Sequence, residues 1–415
     1  MLRSIRPTTT PAVTSRIDSA ALSALGLLPT RADLDAVRAA IRTACADGLA
    51  REGGALAMLP AFLPPPSGAV AGDALAFDAG GTKLRAAWVR FDAAAGPRVL
   101  AQLEGPLPGA AGRPAADAGT FFDAHATLAR DLGAPAGLPI GYCFSYPARV
   151  LPDGDAELVR WTKEVRVDGV EGRAVGRLLR EALLRAGLDA GPVGVVNDTI
   201  AVLLAGAAQS GGARAESTLG LIVGTGFNMG AFVDGAGIGK LAADLRPAGP
   251  TAVNFEAGGF ALAPLGPVDE AVDSESDAPG RQRLEKAVSG VYLGRVLVHA
   301  ARLAGVDVPG DVHDAGDVVA LVADGAGTDA GALGSAVLAR SADLVATALA
   351  AASDIIPACV RVRVAAEGGL VERGAGYAAR VRERLVELTS RDVELGGGGG
   401  STVVGAAIAA RIRAR

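Results

Sequence analysis

The sequence predicts an α/β protein in which two related lobes share a cleft. The chain has 415 residues, more than one hydrophobic core usually organises, so two lobes are expected. Two glycine turns, each flanked by apolar β-compatible runs, occur within 74–92 and 217–235. Stretches with apolar residues at helical spacing, such as 172–187 and 337–356, lie between and after them. Strands that alternate with helices, with the same hairpin design occurring twice, favour two α/β lobes.

The residues before the first hairpin predict an N-terminal unit. Residues 1–17 contain no acid and are interpreted as an unstructured tail, with a targeting segment as the alternative. The Pro-rich stretch 61–68 cannot continue a regular element and is interpreted as a connection into the first lobe. Between them, apolar residues recur at spacings of three and four, which predicts one face of an amphipathic helix: Leu34, Val37, Ile41 and Cys45.

The domain organisation expected from this pattern has four segments. Residues 1–72 form the tail and helices that pack on the large lobe, and residues 73–200 form the small lobe. Residues 201–400 form the large lobe, and residues 401–415 form a C-terminal helix that returns to the small lobe.

Composition excludes several classes of function. The net charge of −5 provides no basic face for nucleic acid, so no nucleic-acid partner is expected. The three cysteines contain no C-x-x-C pair, which speaks against a disulfide framework or a zinc site and favours a reducing compartment. The early apolar run, 20–28, is too short to span a bilayer. A cytoplasmic protein without a membrane partner is therefore expected.

The glycine turns are candidate phosphate sites. Turns without a Cβ expose backbone N–H groups, so a polyphosphate can approach closely. Asp78 precedes Gly80-Gly81-Thr82, where a carboxylate could hold Mg²⁺ directly or through water. A plain turn is the alternative for each hairpin. The glycine tract that reaches Gly400 and Ser401 runs into a predicted helix, 402–412, whose N-terminus could receive phosphate or ribose oxygens.

Short polar runs in apolar contexts are candidate sites for a polyhydroxyl ligand, because each hydroxyl must be satisfied once water is excluded. Asn197-Asp198-Thr199 ends one apolar run and enters a helical stretch. An N-cap Asp or Thr would explain that run without a function, and a surface salt bridge would explain Glu285.

Eight segments in order resemble the successive signatures of the hexokinase family: AMLPAF (57–62), LAFDAGGTKLRAA (75–87), CFSYP (143–147), LVRWTKE (158–164), VVNDT (195–199), GLIVGTGFN (220–228), NFEAGGF (254–260) and LEKAVSGVYLG (284–294). The resemblance covers most of the chain from about residue 57 onward. Several long segments in the family's order are more specific than any one glycine loop.

The resemblance implies a two-lobe, actin-like (ribonuclease-H-type) kinase fold with a hinged interlobe cleft, and ATP-dependent phosphorylation of a hexose. Its motifs imply sugar-binding residues at Ser145, Thr162, Lys163, Asn197, Asp198, Asn228, Glu256 and Glu285. Asp198 would be the catalytic base and Lys163 would neutralise the transferring group. The implied ATP and Mg²⁺ site comprises Asp78, Gly80, Gly81, Thr82, Lys83, Arg85, Gly224, Thr225, Gly400 and Ser401, with Asp78 as the Mg²⁺ ligand.

The chain departs from the family pattern at three places. Lys83 stands where Asn is common, Ala257 replaces Trp after Glu256, and the C-terminal glycine loop lacks an acid and a Lys. The first two changes resemble the compact bacterial branch, and the third leaves the phosphoryl donor open. Glucose, mannose and fructose stay open as acceptors, as do a monomer and a homodimer. The alternative functions are an actin-like ATPase and a sugar sensor without catalysis.

Overall fold

A computed structural model of the chain describes residues 17–66, 70–92, 96–162, 164–209, 217–357, 359–397 and 401–414. Numbered in chain order, the strands are β1 Leu59–Pro60, β2 Gly72–Ala79, β3 Lys83–Asp92, β4 Gly96–Pro106, β5 Ala116–Asp117, β6 Ile140–Phe144, β7 Ala148–Val150, β8 Ala156–Leu158, β9 Val167–Asp168, β10 Val193–Val196, β11 Thr218–Val223, β12 Phe227–Asp234, β13 Pro250–Asn254, β14 Arg361–Glu367 and β15 Asp392–Gly397.

The helices, numbered in the same way, are α1 Ser19–Ala24, α2 Arg31–Ala50, α3 Ala118–Leu132, α4 Val175–Arg185, α5 Asp198–Ala208, α6 Pro267–Ser274, α7 Arg283–Val288, α8 Gly290–Ala304, α9 Ala315–Asp324, α10 Asp329–Ser353, α11 Gly369–Arg373, α12 Tyr377–Thr389 and α13 Ser401–Arg413.

Two large sheets repeat one topology. The five-stranded sheet has the order β10-β6-β2-β3-β4, and the six-stranded sheet has the matching order β15-β14-β11-β12-β13, with β1 added beyond β13. In each sheet the first strand pairs antiparallel with its hairpin partner and parallel with a later strand: β2 with β3 and β6, and β11 with β12 and β14. Both predicted glycine hairpins and their repetition are therefore confirmed. We call the five-stranded sheet with α3 and α4 the small lobe, and the six-stranded sheet with its helices the large lobe.

The last helix of each repeat packs across the gap between the sheets. Helix α5 follows β10 of the small lobe but contacts β11 and β14 of the large lobe, whereas α13 follows β15 of the large lobe and contacts β2 and β6 of the small lobe. Apolar side chains of α5 and α13 form a core between the two sheets, separate from the core of each lobe. The boundaries predicted at residues 72, 200 and 400 stay a prediction.

Strand β2 shows how the small lobe meets α13. Leu75 and Phe77 point into the small-lobe core, whereas Ala74 and Ala76 lie in the core that contains α13. Side chains alternate along a strand, so Asp78 continues the α13 face. A Cβ on Gly141 of the neighbouring strand would lie 1.9 Å from the carbonyl oxygen of Ala406. Small residues therefore let α13 approach the sheet and reach Asp78.

Helix α2 confirms the predicted N-terminal amphipathic helix. Its buried face contains Leu34, Val37, Ile41 and Cys45, and it packs against α10. Helix α10 is long and apolar enough to cross a membrane by length and composition, but 78% of that window is buried inside the protein. Such burial is typical of a helix in the core of a folded lobe. The tail expected at 1–17 lies, except for Ile17, outside the described residues.

The bounds of two predicted helices differ from expectation for local reasons. The stretch 172–187 is shortened to α4, because the glycines at both ends adopt positive φ, 74° at Gly172 and 75° at Gly187. The stretch predicted from residue 337 begins earlier, at Asp329, because the Thr328 side chain accepts a hydrogen bond from the N–H of Gly331 and caps α10.

Candidate active site

The carboxyl ends of three parallel strands bring the small-lobe candidates together. Asp78 on β2 pairs with Cys143 on β6, which in turn pairs with Val196 on β10. Each strand then leaves the sheet at the same edge, where Ser145, Asn197 and Asp198 follow. Ligands in open parallel sheets bind outside the carboxyl ends of the strands. The sheet therefore places a row of polar side chains at one edge, facing the other lobe.

Asp78 lies at the end of β2, next to the first glycine turn. The N–H of Gly80 donates to the carbonyl oxygen of Lys83 at 3.2 Å and closes that turn. The Asp78 side chain is 8% exposed. Its Oδ2 accepts from Arg85 Nη1 at 3.0 Å and from the Thr402 hydroxyl at 3.1 Å. A buried carboxylate is thus held by one residue of the hairpin and one residue of α13.

Burial and neighbouring charge set the electrostatics of Asp78. Burial raises the pKa of Asp78, the Arg85 charge and the Thr402 hydroxyl lower it, and the negative charge of Asp198 raises it further. The two carboxylates lie at the ends of β2 and β10, with β6 between these strands. A cation bound between the two carboxylates would offset both the cost of burying the Asp78 charge and the repulsion between the two negative charges.

The remaining residues of the first hairpin lie on its exposed side. Thr82 and Lys83 are exposed, and Gly81 is partly exposed. Lys83 Nζ lies 2.8 Å from Glu104 Oε1 on β4, with both side chains more than half exposed. A pair this exposed contributes little to stability, so Lys83 remains able to exchange Glu104 for a phosphate.

Asn197 and Asp198 form the start of α5. Asn197 is the N-cap, and its Oδ1 accepts from the N–H of Thr199 at 2.8 Å. The expected cap was an Asp or a Thr, so that expectation is corrected: Thr199 is inside the helix and its N–H is the donor. Asp198 Oδ1 accepts from the same N–H at 2.7 Å. A carboxylate in the first turn is stabilised by the helix dipole.

A hydrogen-bonded relay crosses the large-lobe side of the site. Asn228 Oδ1 accepts from the backbone N–H groups of Met229 and Ala257, at 2.8 and 3.1 Å, which fixes the orientation of its amide. Asn228 Nδ2 then donates to Asn254 Oδ1 at 2.8 Å, and Asn254 Nδ2 donates to Glu256 Oε1 at 2.7 Å. The backbone of β12 and of the turn after β13 therefore orients the Glu256 carboxylate through two amides.

Gly258, two residues after Glu256, lies against the Glu285 side chain. Glu256 has φ 54°, a left-handed conformation that is uncommon for a residue other than glycine. A Cβ on Gly258 would lie 2.5 Å from Glu285 Oε2, so Gly258 leaves room for that carboxylate. Strained backbone is retained where the surroundings hold it, often at functional sites.

Helix α7, which carries Glu285, is held in place by ion pairs with Asp273. Lys286 Nζ donates to Asp273 Oδ1 at 2.6 Å and to the carbonyl oxygen of Ala278 at 2.7 Å. Arg283 Nη2 lies 3.0 Å from Asp273 Oδ2. Lys286 is almost fully buried, so this cluster fixes the position of α7 and of Glu285.

Several of these residues line one cavity between the lobes. It is lined from the small lobe by Tyr146, Val196 and Asn197, and from the large lobe by Asn254 and Glu256. Ser145 is buried beside it, and its Oγ lies 3.9 Å from Cys143 Sγ. Thr162 lies in the loop after β8, where its carbonyl oxygen accepts from the N–H of Val165 at 3.2 Å. The predicted sugar-side residues Asn197 and Glu256 therefore meet in one cavity between the lobes.

The second glycine turn lines a separate, larger pocket of the large lobe. This pocket has about 970 Å³ of empty space including its open mouth. Helices α8 and α9 begin at its wall, and the N–H of Gly290 donates to the carbonyl oxygen of Gly224 at 2.6 Å. Its lining residues include Gly224, Thr225, Gly290, Val291, Asp314, Gly316, Gly369 and Arg373. A wall rich in glycine backbone, with a cation at its edge, suits a flat base with attached phosphates.

Some predicted residues are not joined to either site. Residues of the first hairpin are absent from the described lining of the large pocket, so a grip on one polyphosphate by both turns stays a prediction. Lys163 and Gly400 lie outside the described residues, and of Ser401 only its place as the first residue of α13 is described.

The sequence reasoning missed Thr402, Asn254 and Arg373 as site residues. Thr402 was assigned only to the helix, although its hydroxyl donates to Asp78. Asn254 could have been noticed as an amide two residues before Glu256, directly after the apolar pair Ala252-Val253. Arg373 follows no recognisable motif, so only the structure brings it to the pocket.

Comparison with known proteins agrees with this architecture. Two family models described as hexokinase match residues 27–208 and 218–306. Hexokinase-2 of Candida albicans is 34% identical over 267 residues, which are 60% of this chain and 54% of that protein. Hexokinase-3 of Homo sapiens is 34% identical over 278 residues, which are 64% of this chain and 29% of that protein. The chain therefore matches about half, or less, of the length of these curated relatives.

Solved structures show the same arrangement of lobes. A hexokinase crystal structure has a TM-score of 0.79 and 27% identity, and the match covers 94% of this chain and 98% of that chain. The fold implied by the resemblance, a two-lobe actin-like kinase, is confirmed. The two family models, this structural match, the repeated sheets and the polar strand ends together show that the chain belongs to the hexokinase family.

Proposed function

We propose that this chain transfers the γ-phosphoryl group of ATP to the 6-hydroxyl of a hexose. The observation that carries the proposal is the pair of carboxylates, Asp78 at the end of β2 and Asp198 just after β10, on the two parallel strands that flank β6. One belongs to the glycine hairpin, and the other adjoins the cavity that contains Asn197 and Glu256. Family membership supports the assignment of the two sides to phosphate and sugar.

Asp198 acts as the base in this proposal. Phosphoryl transfer passes through a loose transition state, so positioning and charge neutralisation contribute more than a strong base. The helix N-terminus and the Thr199 N–H hold the Asp198 carboxylate in place. Asp198 orients the attacking hydroxyl and takes its proton as the new P–O bond forms and the bond from the γ-phosphorus to the oxygen of the leaving ADP breaks. We assign Lys163 to the neutralisation of the transferring group.

The sugar side provides groups that match a polyhydroxyl ligand. Glu256, oriented by Asn254, presents a carboxylate to the interlobe cavity, and Asn197 presents an amide from the other side. A carboxylate accepts from hydroxyl groups, whereas an amide both donates and accepts. We propose Ser145, Thr162, Asn228 and Glu285 as further members of this pocket. Water competes with the sugar hydroxyl, so closure of the lobes around bound sugar would favour transfer over hydrolysis.

The residues at Asp78 fit a Mg²⁺ ion. Mg²⁺ is usually held by one or two carboxylates with phosphates and water. Asp78 is a buried carboxylate, and both its burial and the negative charge of Asp198 raise its pKa. When bound, the ion would neutralise charge on the transferring phosphates. Arg85 and Thr402 hold the Asp78 carboxylate in a fixed orientation. The backbone N–H groups of Gly81 and Thr82 bind the phosphates in this proposal, whereas the N–H of Gly80 closes the turn on the Lys83 carbonyl oxygen; Gly80 contributes by its lack of a side chain.

The nucleotide is assigned to the large-lobe pocket. Gly224 and Thr225 line it together with the starts of α8 and α9, and we propose that the base and ribose lie there with the phosphates directed to the first hairpin. Glucose is the proposed acceptor as the usual substrate of the family, and a cytoplasmic location follows from the composition.

The test is a coupled assay of hexose phosphorylation with Asp198→Asn. We expect turnover to fall by roughly a factor of 10³, since general base catalysis contributes about 10²–10⁴, while hexose binding, followed by tryptophan fluorescence, is kept. Asp123→Asn is the control, because Asp123 is an exposed aspartate on α3 whose Oδ1 lies 3.2 Å from Arg185 Nη2. Retained turnover in Asp198→Asn would remove Asp198 from its role.

The same assay separates the alternatives. ATP turnover without added hexose, and not increased by it, would indicate an actin-like ATPase. Hexose binding without turnover in the wild-type chain would indicate a sugar sensor.

A further inference from the structure

Tyr146 connects the loop after β6 to the first glycine turn. Its hydroxyl donates a hydrogen bond to the carbonyl oxygen of Gly80, from a position 66 residues away along the chain. The Tyr146 ring is almost fully buried, at 3% exposure, and it lines the interlobe cavity. The residue therefore touches the turn assigned to phosphate from the side assigned to sugar.

The ring is held by aromatic neighbours. Its centroid lies 4.9 Å from that of Phe144 and 4.8 Å from that of Trp161. Trp161 is fixed in turn by a hydrogen bond from its Nε1 to the carbonyl oxygen of Val167 at 2.7 Å. Because Trp161 directly precedes Thr162, and Ser145 directly precedes Tyr146, the ring is embedded between two segments that carry proposed sugar ligands.

The accepting carbonyl belongs to a peptide unit that lacks side chains on both sides. Gly80 and Gly81 have no Cβ, so the peptide between them can rotate as a unit at little steric cost. In a planar trans peptide the carbonyl oxygen of one residue and the N–H of the next point in opposite directions. A hydrogen bond that holds the Gly80 carbonyl toward Tyr146 therefore directs the Gly81 N–H away from Tyr146.

Tyr146 remains a donor at neutral pH. Burial raises the pKa of its phenol, and the negative charge of Asp78 raises it further. The hydroxyl therefore keeps its proton, and the carbonyl oxygen of Gly80 can only accept. The direction of this hydrogen bond is thus fixed by chemistry.

We propose that Tyr146 is a positioning residue for phosphoryl transfer, which locks the Gly80–Gly81 peptide so that the Gly81 N–H faces the phosphates. The inference rests on the proposed function and adds to it a coupling between the sugar-side segments and the first glycine turn. Sugar that orders the Ser145 and Thr162 segments also steadies the ring, and the ring steadies the turn.

Tyr146→Phe is the test, because it removes the hydroxyl and keeps the ring that packs on Trp161. Steady-state kinetics are measured with hexose and with MgATP as the varied substrate. We expect kcat/KM for MgATP to fall about tenfold, the effect of one lost buried hydrogen bond, and KM for hexose to stay within about twofold. A residue needed only for packing would leave the MgATP parameters unchanged in this variant.

Tyr142→Phe is the matched control. Tyr142 is a fully buried tyrosine on β6 whose hydroxyl lies 3.0 Å from His125 Nε2 in the small-lobe core. His125 Nδ1 lies 2.9 Å from the carbonyl oxygen of Phe121, which can only accept, so Nε2 accepts from Tyr142. The control therefore also loses one buried hydroxyl donor, but at a distance from the turn, and should leave kcat/KM for MgATP unchanged.

Hydrogen exchange of peptides that contain 80–82 supplies a readout independent of catalysis. Faster exchange in Tyr146→Phe than in Tyr142→Phe, together with the MgATP effect, supports the lock. Unchanged exchange or unchanged MgATP kinetics in Tyr146→Phe overturns it, as does an equal effect in the control. A wild-type chain without hexose-dependent turnover would refute the proposed function instead, and the exchange comparison would then still decide whether Tyr146 holds the turn.

Discussion

Replacement of Asn254 by alanine tests whether the relay from Asn228 to Glu256 serves hexose binding. The Asn254 side chain is nearly buried, at 6% exposure, and it makes two hydrogen bonds, 2.8 Å from Asn228 Nδ2 and 2.7 Å to Glu256 Oε1. The second bond joins a neutral donor to a carboxylate. Hydrogen bonds to charged groups contribute about 1.5–3 kcal/mol.

The loss of that orientation sets the expected magnitude. If loss of the Asn254–Glu256 hydrogen bond weakens the interaction with hexose by about 2 kcal/mol, kcat/KM for hexose falls about 30-fold, since each 1.4 kcal/mol is a factor of ten. The large-lobe pocket, which we propose for the nucleotide, is lined by other residues, Gly224 and Arg373 among them. KM for MgATP should therefore stay within about twofold of the wild-type value.

The assay compares hexose and MgATP kinetics in Asn254→Ala and in Thr251→Val. Thr251 is also buried on β13, three positions away and hence on the opposite face, so its replacement controls for disturbance of the strand. Thermal unfolding of both variants checks that the fold is kept. An unchanged KM for hexose in a folded Asn254→Ala variant would refute the relay, and so would an equal loss in Thr251→Val.

Two further predictions concern Thr402 and His125. Thr402→Val removes the donor 3.1 Å from Asp78 Oδ2 and should lower kcat about tenfold and weaken Mg²⁺ dependence, as measured by Mg²⁺ titration, with Thr347→Val on α10 as the unaffected control. His125 is fully buried, and burial lowers its pKa to about 4 from 6.5. Because the unfolded chain then binds the additional proton, stability is present above pH 6.5 and is lost as pH falls toward 4. Between pH 7.5 and 5 the wild-type chain should lose about 2 kcal/mol more unfolding free energy than His125→Gln, measured by urea denaturation; equal losses in both chains would contradict this.

Features encoded locally were predictable. The turn at Gly80-Gly81 and the turn at Gly224-Thr225-Gly226 are both formed as expected, because glycine pairs between alternating strands are a short-range signal. The same holds for the buried face of α2. Their repetition also led to the correct expectation of two related lobes.

Contacts between distant segments were not predictable from one sequence. Thr402 lies 324 positions from Asp78, and no periodicity or spacing relates them. Arg373 reaches the large pocket only because α11 follows β14, which pairs with β11. The roles of the sugar-side residues, Lys163 among them, came from the resemblance to a family and stay predictions, as does the role of Gly400 at the nucleotide.

The close packing of α13 against β2 and β6 has a consequence for synthesis on the ribosome. The Ala74 and Ala76 face of the five-stranded sheet is covered by a helix, α13, that is translated after the strands of both sheets. Until that helix emerges, the nascent small lobe exposes an apolar surface and Asp78 has no Thr402 beside it. A nascent chain should therefore complete the surroundings of Asp78 only after α13 has emerged, and a nonsense mutation before residue 401 should yield an aggregation-prone product that exposes this apolar surface.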